Sequence, residues 1–168
     1  MTAAALTPHH VNVLDRAHRV TAMYTDVALR PSGQYHFEMG RALAARLGYS
    51  AEELQHVPER AIESFAGVGY HFDFAALRPG DRVVDLGSGS GMDSFVAAAK
   101  VGPTGRVIGI DMTEAQLTKA EQLREAAGLG NVEYRKRYID EPGLADRSAD
   151  VVISNGVICG VHRRRDAD

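Results

Sequence analysis

Arg82-Val83-Val84-Asp85-Leu86-Gly87-Ser88-Gly89-Ser90-Gly91-Met92-Asp93 runs from a short apolar segment through three alternating glycines into a helix-forming stretch. Val83, Val84 and Leu86 predict a strand covered on both faces. The glycines let the backbone turn tightly and approach a ligand without Cβ clashes. A helix beginning there aims its first unpaired N–H groups into the same crevice. Ordinary loops also contain such turns, so the surrounding chain decides the reading.

Outward from this turn, strands alternate with helices. Arg78-Pro79-Gly80-Asp81 is a turn before the strand 82–86. A helix over 93–100 should bury Phe95, Val96 and Ala99 and end at Gly102-Pro103-Thr104-Gly105. A second strand over 106–110 closes on Asp111. Thr113 with Gln116 three places on has capping-box spacing, and Leu117, Ala120, Leu123 and Ala127 form the inner face of a helix stopped by Gly128. Strands over 132–137 and 150–154 follow. This alternation predicts right-handed crossovers and a parallel sheet.

The first 65 residues read differently. Val13, Ala17, Val20, Tyr24 and Val27 share one helical face before Pro31. Phe37, Leu43, Ala44 and Leu47 mark a second helix stopped by Gly48, Ser50 and Glu53 a capping box, and Pro58 the first turn of a short helix reaching Ile62 and Phe65. Residues 1–65 are expected to be a helical extension or lid, 66–160 a ligand-binding core and 161–168 a polar tail. The run 65–72 suits either a loop pressed on a ligand pocket or a hydrophobic connector.

With 168 residues, 45% of them hydrophobic and 24% charged, the chain has room for one domain with a real core but not two. A net charge of -3 gives no electrostatic case for nucleic acid, and Arg163-Arg164-Arg165 beside Asp166 and Asp168 reads as a solvated tail. The single cysteine, Cys159, excludes an internal disulfide and a multi-cysteine zinc site, and fits a reducing compartment. No stretch has the apolar length of a membrane span and the start lacks a signal peptide, so a cytoplasmic location is expected and no membrane partner.

In an open parallel sheet, ligands bind beyond the carboxyl ends of the strands. Asp111, at the end of the second strand, is placed either to accept both hydroxyls of a ribose or to cap the helix that follows. The spacing Gly87-x-Gly89-x-Gly91 departs from Gly-x-Gly-x-x-Gly, which argues against a pyrophosphate-bearing ligand and a nicotinamide dehydrogenase.

Residues 77–91 resemble the first motif of class I S-adenosylmethionine-dependent methyltransferases. The resemblance implies a Rossmann-like fold and S-adenosylmethionine as cofactor, with Asp85, Gly87, Gly89 and Gly91 around its methionine part, Asp111 on the ribose and Met112 on the adenine. Met112 fits a core position equally well. The runs 87–93, Gly109-Ile110-Asp111-Met112-Thr113, Tyr138-Ile139-Asp140 and Ser154-Asn155-Gly156-Val157-Ile158 narrow the resemblance to the arsenite methyltransferase branch over roughly residues 65–158. It adds Ile139 and Asp140 beside the adenine, and Asn155, to the implied cofactor site; Asp140 also reads as a solvent-facing turn residue before Pro142.

The departures matter as much. Arsenite is held by thiolates because soft arsenic prefers sulfur. At the positions where the family has thiols this chain has Val68, Ser94 and Gly156, and Cys159 alone makes no cage. A small organic methyl acceptor is therefore expected. Tyr24, Tyr70, His71 and His36 could orient it, although each also reads as packing or surface. No catalytic residue is assigned, no metal is expected, and His9 and His10 carry no role. The family's sheet has seven strands and about four are recognisable here. That suggests a truncated copy, a natural short form, or self-association through an exposed fourth strand, and it keeps open an inactive remnant that binds cofactor weakly or acts through a partner.

Overall fold

Val83 and Val84 lie in the first strand, β1 (Arg82–Leu86), 1% and 3% exposed, while Leu86 at its end is half-buried. The computed structural model describes residues 8–158, with side chains from residue 17 onward. Cys159 and the basic cluster 163–165 lie outside the described residues. β1 pairs in parallel with β2 (Arg106–Asp111) on one side and β4 (Val151–Ile153) on the other, and β2 pairs with β3 (Val132–Lys136). The order is β3-β2-β1-β4. The chain steps outward from β1 to β3 and then returns past β1, so the order reverses between β1 and β4. A crevice opens beyond the strand ends at such a point.

Register explains which side chains share a face. Val83 pairs with Val107 and Val151, and Val107 with Val132. These valines pack against α6 (Met92–Val101), the first crossover helix. Residues 92–98 of α6 are all buried, because helices preceding the sheet cover its outer side; Ala99, expected inside, is exposed. Val84 pairs with Ile108 and Val152 on the opposite face, where Val152 is 58% exposed. Among the described residues β4 is an edge strand, as expected of the fourth strand.

The N-terminal segment forms α1 (Pro8–Leu29), α2 (Gly40–Leu47), α3 (Ala51–Gln55) and α4 (Glu59–Glu63). Phe37 is not in α2, as the sequence suggested; it stands in the link before it, stacked on Tyr35 and tilted against Tyr24. Leu43, Ala44, Tyr49, Leu54, Ala61, Ile62 and Phe65 belong to the same core as Val83, Phe95 and Val96. α1 and α4 pack on the second crossover helix, α7 (Glu114–Ala126), and α2 packs on α4. The run after Phe65 is a loop except for one turn, α5 (Phe72–Ala75), that the sequence did not reveal. No helix among the described residues is long and apolar enough to cross a membrane.

Two expected caps turn out differently. Ser50 and Glu53 form the full capping box, with Ser50 Oγ accepting the Glu53 N–H at 3.1 Å and Glu53 accepting the Ser50 N–H at 2.9 Å. Ser50→Ala is expected to cost about 1 kcal/mol in urea unfolding. Thr113 and Gln116 form no such box; the Thr113 N–H donates to Asp111 and the Gln116 amide reaches elsewhere. Ala127, expected on the inner face of α7, is its exposed C-cap.

Candidate functional site

Gly87, Gly89 and Gly91 have φ of 78°, 53° and 91°, the left-handed region that side chains disfavour. The Gly87 and Ser88 N–H groups both donate to the Ile110 carbonyl, at 2.7 and 3.0 Å, which ties the turn to the end of β2. A Cβ at Gly91 would sit 2.2 Å from Tyr134 Oη and 3.1 Å from Phe95. Gly91→Ala therefore combines backbone strain with overpacking. It is expected to cost about 2–4 kcal/mol, read as a shift of the urea midpoint.

Asp111 faces this turn from the end of β2. Its Oδ2 accepts the Gly89 N–H at 3.0 Å and its Oδ1 the Thr113 N–H at 2.8 Å. Burial raises its pKa, against the pull of these N–H groups. One carboxylate thus fastens the glycine turn to Thr113, the residue before α7, and each oxygen has capacity for a second acceptor bond.

That space is a cavity of about 510 Å³. Asp85, Gly87, Gly89, Asp111, Met112, Ile139, Asp140 and Asn155 all line it. Gly91, also expected at the cofactor, does not; it lies beneath the turn at the start of α6. Asp140 is exposed at the rim and Met112 is half-buried in the wall. Of the four side chains that could orient an acceptor, Tyr24 alone lines the cavity. Tyr70 instead donates to Glu53 at 2.6 Å, and His36 is exposed.

Asn155 works mainly on the chain itself. Its Oδ1 accepts the Val68 and Gly69 N–H groups at 2.8 and 3.3 Å. Its Nδ2 donates to the Gly69 carbonyl, Tyr49 Oη and Asp93 Oδ2 at 3.0, 3.1 and 2.9 Å. The end of β4 is thereby fastened to the loop 67–69 and to the start of α6. Val68 and Gly156 come together there, a Cβ at Gly156 meeting Val68 Cγ1 at 3.4 Å. Ser94 is fully buried and donates to Asp85 at 2.7 Å.

The cover over the cavity comes from α1 and α4, which contribute Ala17, Val20, Met23, Tyr24, Ala61 and Ser64 at its C-cap. Two side chains of α7 hold it. Gln116 donates to the Tyr24 carbonyl at 2.9 Å and accepts from Ser90 of the glycine turn. Lys119 donates to Ser64 Oγ at 2.6 Å and to the Ala28 carbonyl at 3.3 Å, and burial lowers its pKa. An ammonium at the carbonyl end of α1 suits the helix dipole. Sequence reading missed Gln116 and Lys119 as clamps; their one signal is two polar residues on the otherwise apolar face of α7.

The family model for the methyltransferase domain matches residues 77–167, just over half of the chain. The chain belongs to the methyltransferase domain family. An arsenite methyltransferase from Halobacterium salinarum is 45% identical to this methyltransferase domain over 113 residues, 67% of this chain and 29% of that protein. Aklanonic acid methyltransferase from a Streptomyces species is 34% identical over 95 residues, 56% of this chain and 43% of that protein. Among solved structures, the arsenic(III) S-adenosylmethionine methyltransferase of Chlamydomonas reinhardtii is 36% identical with a TM-score of 0.46, over 71% of this chain and 40% of that one. In each case the match spans less than half of the relative's length. The resemblance drawn from the motifs, to S-adenosylmethionine-dependent methyltransferases and their arsenite branch, holds, as does the Rossmann-like parallel sheet.

The cavity fits that cofactor. Its volume lies within the range of about 300–1,000 Å³ typical of small-molecule sites. A carboxylate and the glycine turn it holds line the cavity side by side, which suits a ligand with a diol at its middle and a polar tail.

Proposed function

We propose that this methyltransferase domain binds S-adenosylmethionine across the ends of β1 and β2 and transfers its methyl group to a small organic acceptor. The observation that carries the reading is the position of Asp111, held by the Gly89 and Thr113 N–H groups in the wall of one cavity shared with Met112, Ile139 and Asp140. Asp111 would accept the ribose hydroxyls, Met112 and Ile139 would enclose the adenine, and Asp140 at the rim would accept from its amino group. The glycine turn would lie along the methionine part beside Asp85. In this reading residues 1–65 cover a core over 66–160.

When bound, the cofactor supplies a methyl group activated on a sulfonium. The protein's share is to align donor and acceptor and exclude water. Ala17, Val20, Met23, Phe65 and Val157 make the remaining wall apolar, which suits a carbon-rich acceptor. An organic acceptor is favoured over arsenite because Val68 and Gly156, adjacent at the loop clasped by Asn155, carry no thiol. A second reading is cofactor binding without turnover: Val68, Ser94 and Gly156 stand where the arsenite branch has thiols.

Calorimetry with S-adenosylhomocysteine tests the first half of the proposal, and absence of binding to folded protein would remove it. Transfer of labelled methyl from S-adenosylmethionine to an acceptor in a metabolite extract tests the second half. Labelling of an organic product excludes the non-catalytic reading, and its absence despite cofactor binding supports it.

A further inference from the structure

Gln116, in the first turn of α7, is 2% exposed, and both ends of its amide are used. Its Oε1 accepts the Ser90 hydroxyl of the glycine turn, and its Nε2 donates to the Tyr24 carbonyl of α1 at 2.9 Å. Asp111 holds the neighbouring turn residue, Gly89, by its N–H at 3.0 Å. A Cβ at Gly89 would stand 3.8 Å from Gln116 Oε1, so the amide lies close to both residues. Two adjacent positions of the turn are thus tied in different directions, Gly89 to the carboxylate proposed for the ribose and Ser90, through Gln116, to the backbone of the cover.

The rest of α1 is held from its other end. None of the side chains from Ala17 to Asp26 is fully buried, while Val27 and Ala28 are. Lys119 grips that buried end, with its bonds to the Ala28 carbonyl and to Ser64 Oγ lying outside the turn. Val20, Met23 and Tyr24 are half-buried and line the cavity, so the seating of this part of α1 depends on what fills the cavity and on the bond from Gln116.

We propose that Gln116 is a positioning residue that couples the glycine turn to α1, so that a cofactor bound at the turn seats the cover helix above it. A buried amide satisfied at both ends cannot part from one partner without stranding a polar group, at about 1–3 kcal/mol, so a ligand that fixes the turn also fixes the donor aimed at α1. The inference rests on the cofactor reading and adds an order to it. Ala17, Val20 and Met23 form the α1 part of the apolar acceptor wall, so the acceptor site is completed once the cofactor is in place.

Hydrogen exchange of the full chain at the amides of residues 20–28, with and without saturating S-adenosylhomocysteine, reads the coupling. In wild-type protein the ligand should slow exchange there at least about tenfold, of the roughly hundredfold open to a ligand at a hundred times its Kd that binds only the seated state. Gln116→Met keeps the side-chain volume and removes both bonds. The ligand should still bind it, since Asp111 and the glycines are untouched, but should slow exchange at 20–28 by less than about twofold. Lys119→Met is the control: it loosens the same helix without cutting the tie to the turn, so exchange should quicken in both states while the slowing by ligand persists. Slowing kept in full by Gln116→Met overturns the proposal, because direct contact with the ligand would then seat α1. Equal loss of slowing in the two variants also overturns it and leaves Gln116 one packing contact among several. Should Gln116→Met not fold, Ser90→Ala cuts the turn end of the tie alone, and the same loss of slowing is required of it. Wild-type binding without slowing at 20–28 removes this inference alone, whereas failure to bind S-adenosylhomocysteine at all removes the cofactor reading together with it.

Discussion

Asp111→Ala is expected to lower affinity for S-adenosylhomocysteine by about a hundredfold or more. Two charge-assisted hydrogen bonds to a diol are worth about 1.5–3 kcal/mol each, and about 1.4 kcal/mol is a factor of ten. The substitution also strips an acceptor from the Gly89 and Thr113 N–H groups, so the fold loses about 1–2 kcal/mol as well. The two effects separate in Asp111→Asn. One amide oxygen can still accept a backbone N–H, but the charge and the second acceptor are gone. Thermal melts should show Asn nearer to wild type than Ala, while calorimetry shows both binding poorly. Undiminished binding by Asp111→Ala would remove the ribose role and leave the fastening of Gly89 and Thr113 as the residue's whole function.

Asn155→Ala is expected to cost about 2–4 kcal/mol of stability, as much as Gly91→Ala. One side chain there satisfies two loop N–H groups and a loop carbonyl, and donates to the buried carboxylate of Asp93. Removing it leaves the 67–69 loop without its clasp and Asp93 with Tyr49 as its remaining side-chain donor. Hydrogen exchange should quicken at Val68 and Gly69 before it does in β1. Asn155→Asp should be as damaging at neutral pH, because it sets a second carboxylate against Asp93, and should partly recover as pH falls and the pair takes up a proton. A urea midpoint unmoved by Asn155→Ala would show that the loop is held by its apolar contacts alone.

The strands and crossover helices were legible because their signals are local. Arg82–Leu86 is bounded by Gly80 and Gly87, and α7 by Thr113 and Gly128, so period and punctuation agree. Misread positions depended on distant partners. Ala99 is exposed although Val96 and Val101 are buried, and its neighbour Lys100 reaches back to Glu53 of α3. Gln116 gave up its expected cap because the Tyr24 carbonyl and the Ser90 hydroxyl, far away in sequence, offered it better partners.

The site divides along the same line. The glycine turn, the carboxylate after the second strand and the motif around Ile139 and Asp140 point, by themselves, to a crevice beyond the strand ends, since the first two close β1 and β2 and the third follows β3. Which groups line that crevice was decided by the tertiary structure. The return of the chain to β4 beside β1 brings Asn155 to Asp93, and the packing of α1 on α7 brings Tyr24 to Asp111. Those pairs are separated by 62 and 87 positions, and no local pattern encodes them. Burial then does what sequence cannot show: it raises the pKa of Asp85 and Asp93, in the wall of a cavity lined, among the described residues, by no lysine, arginine or histidine.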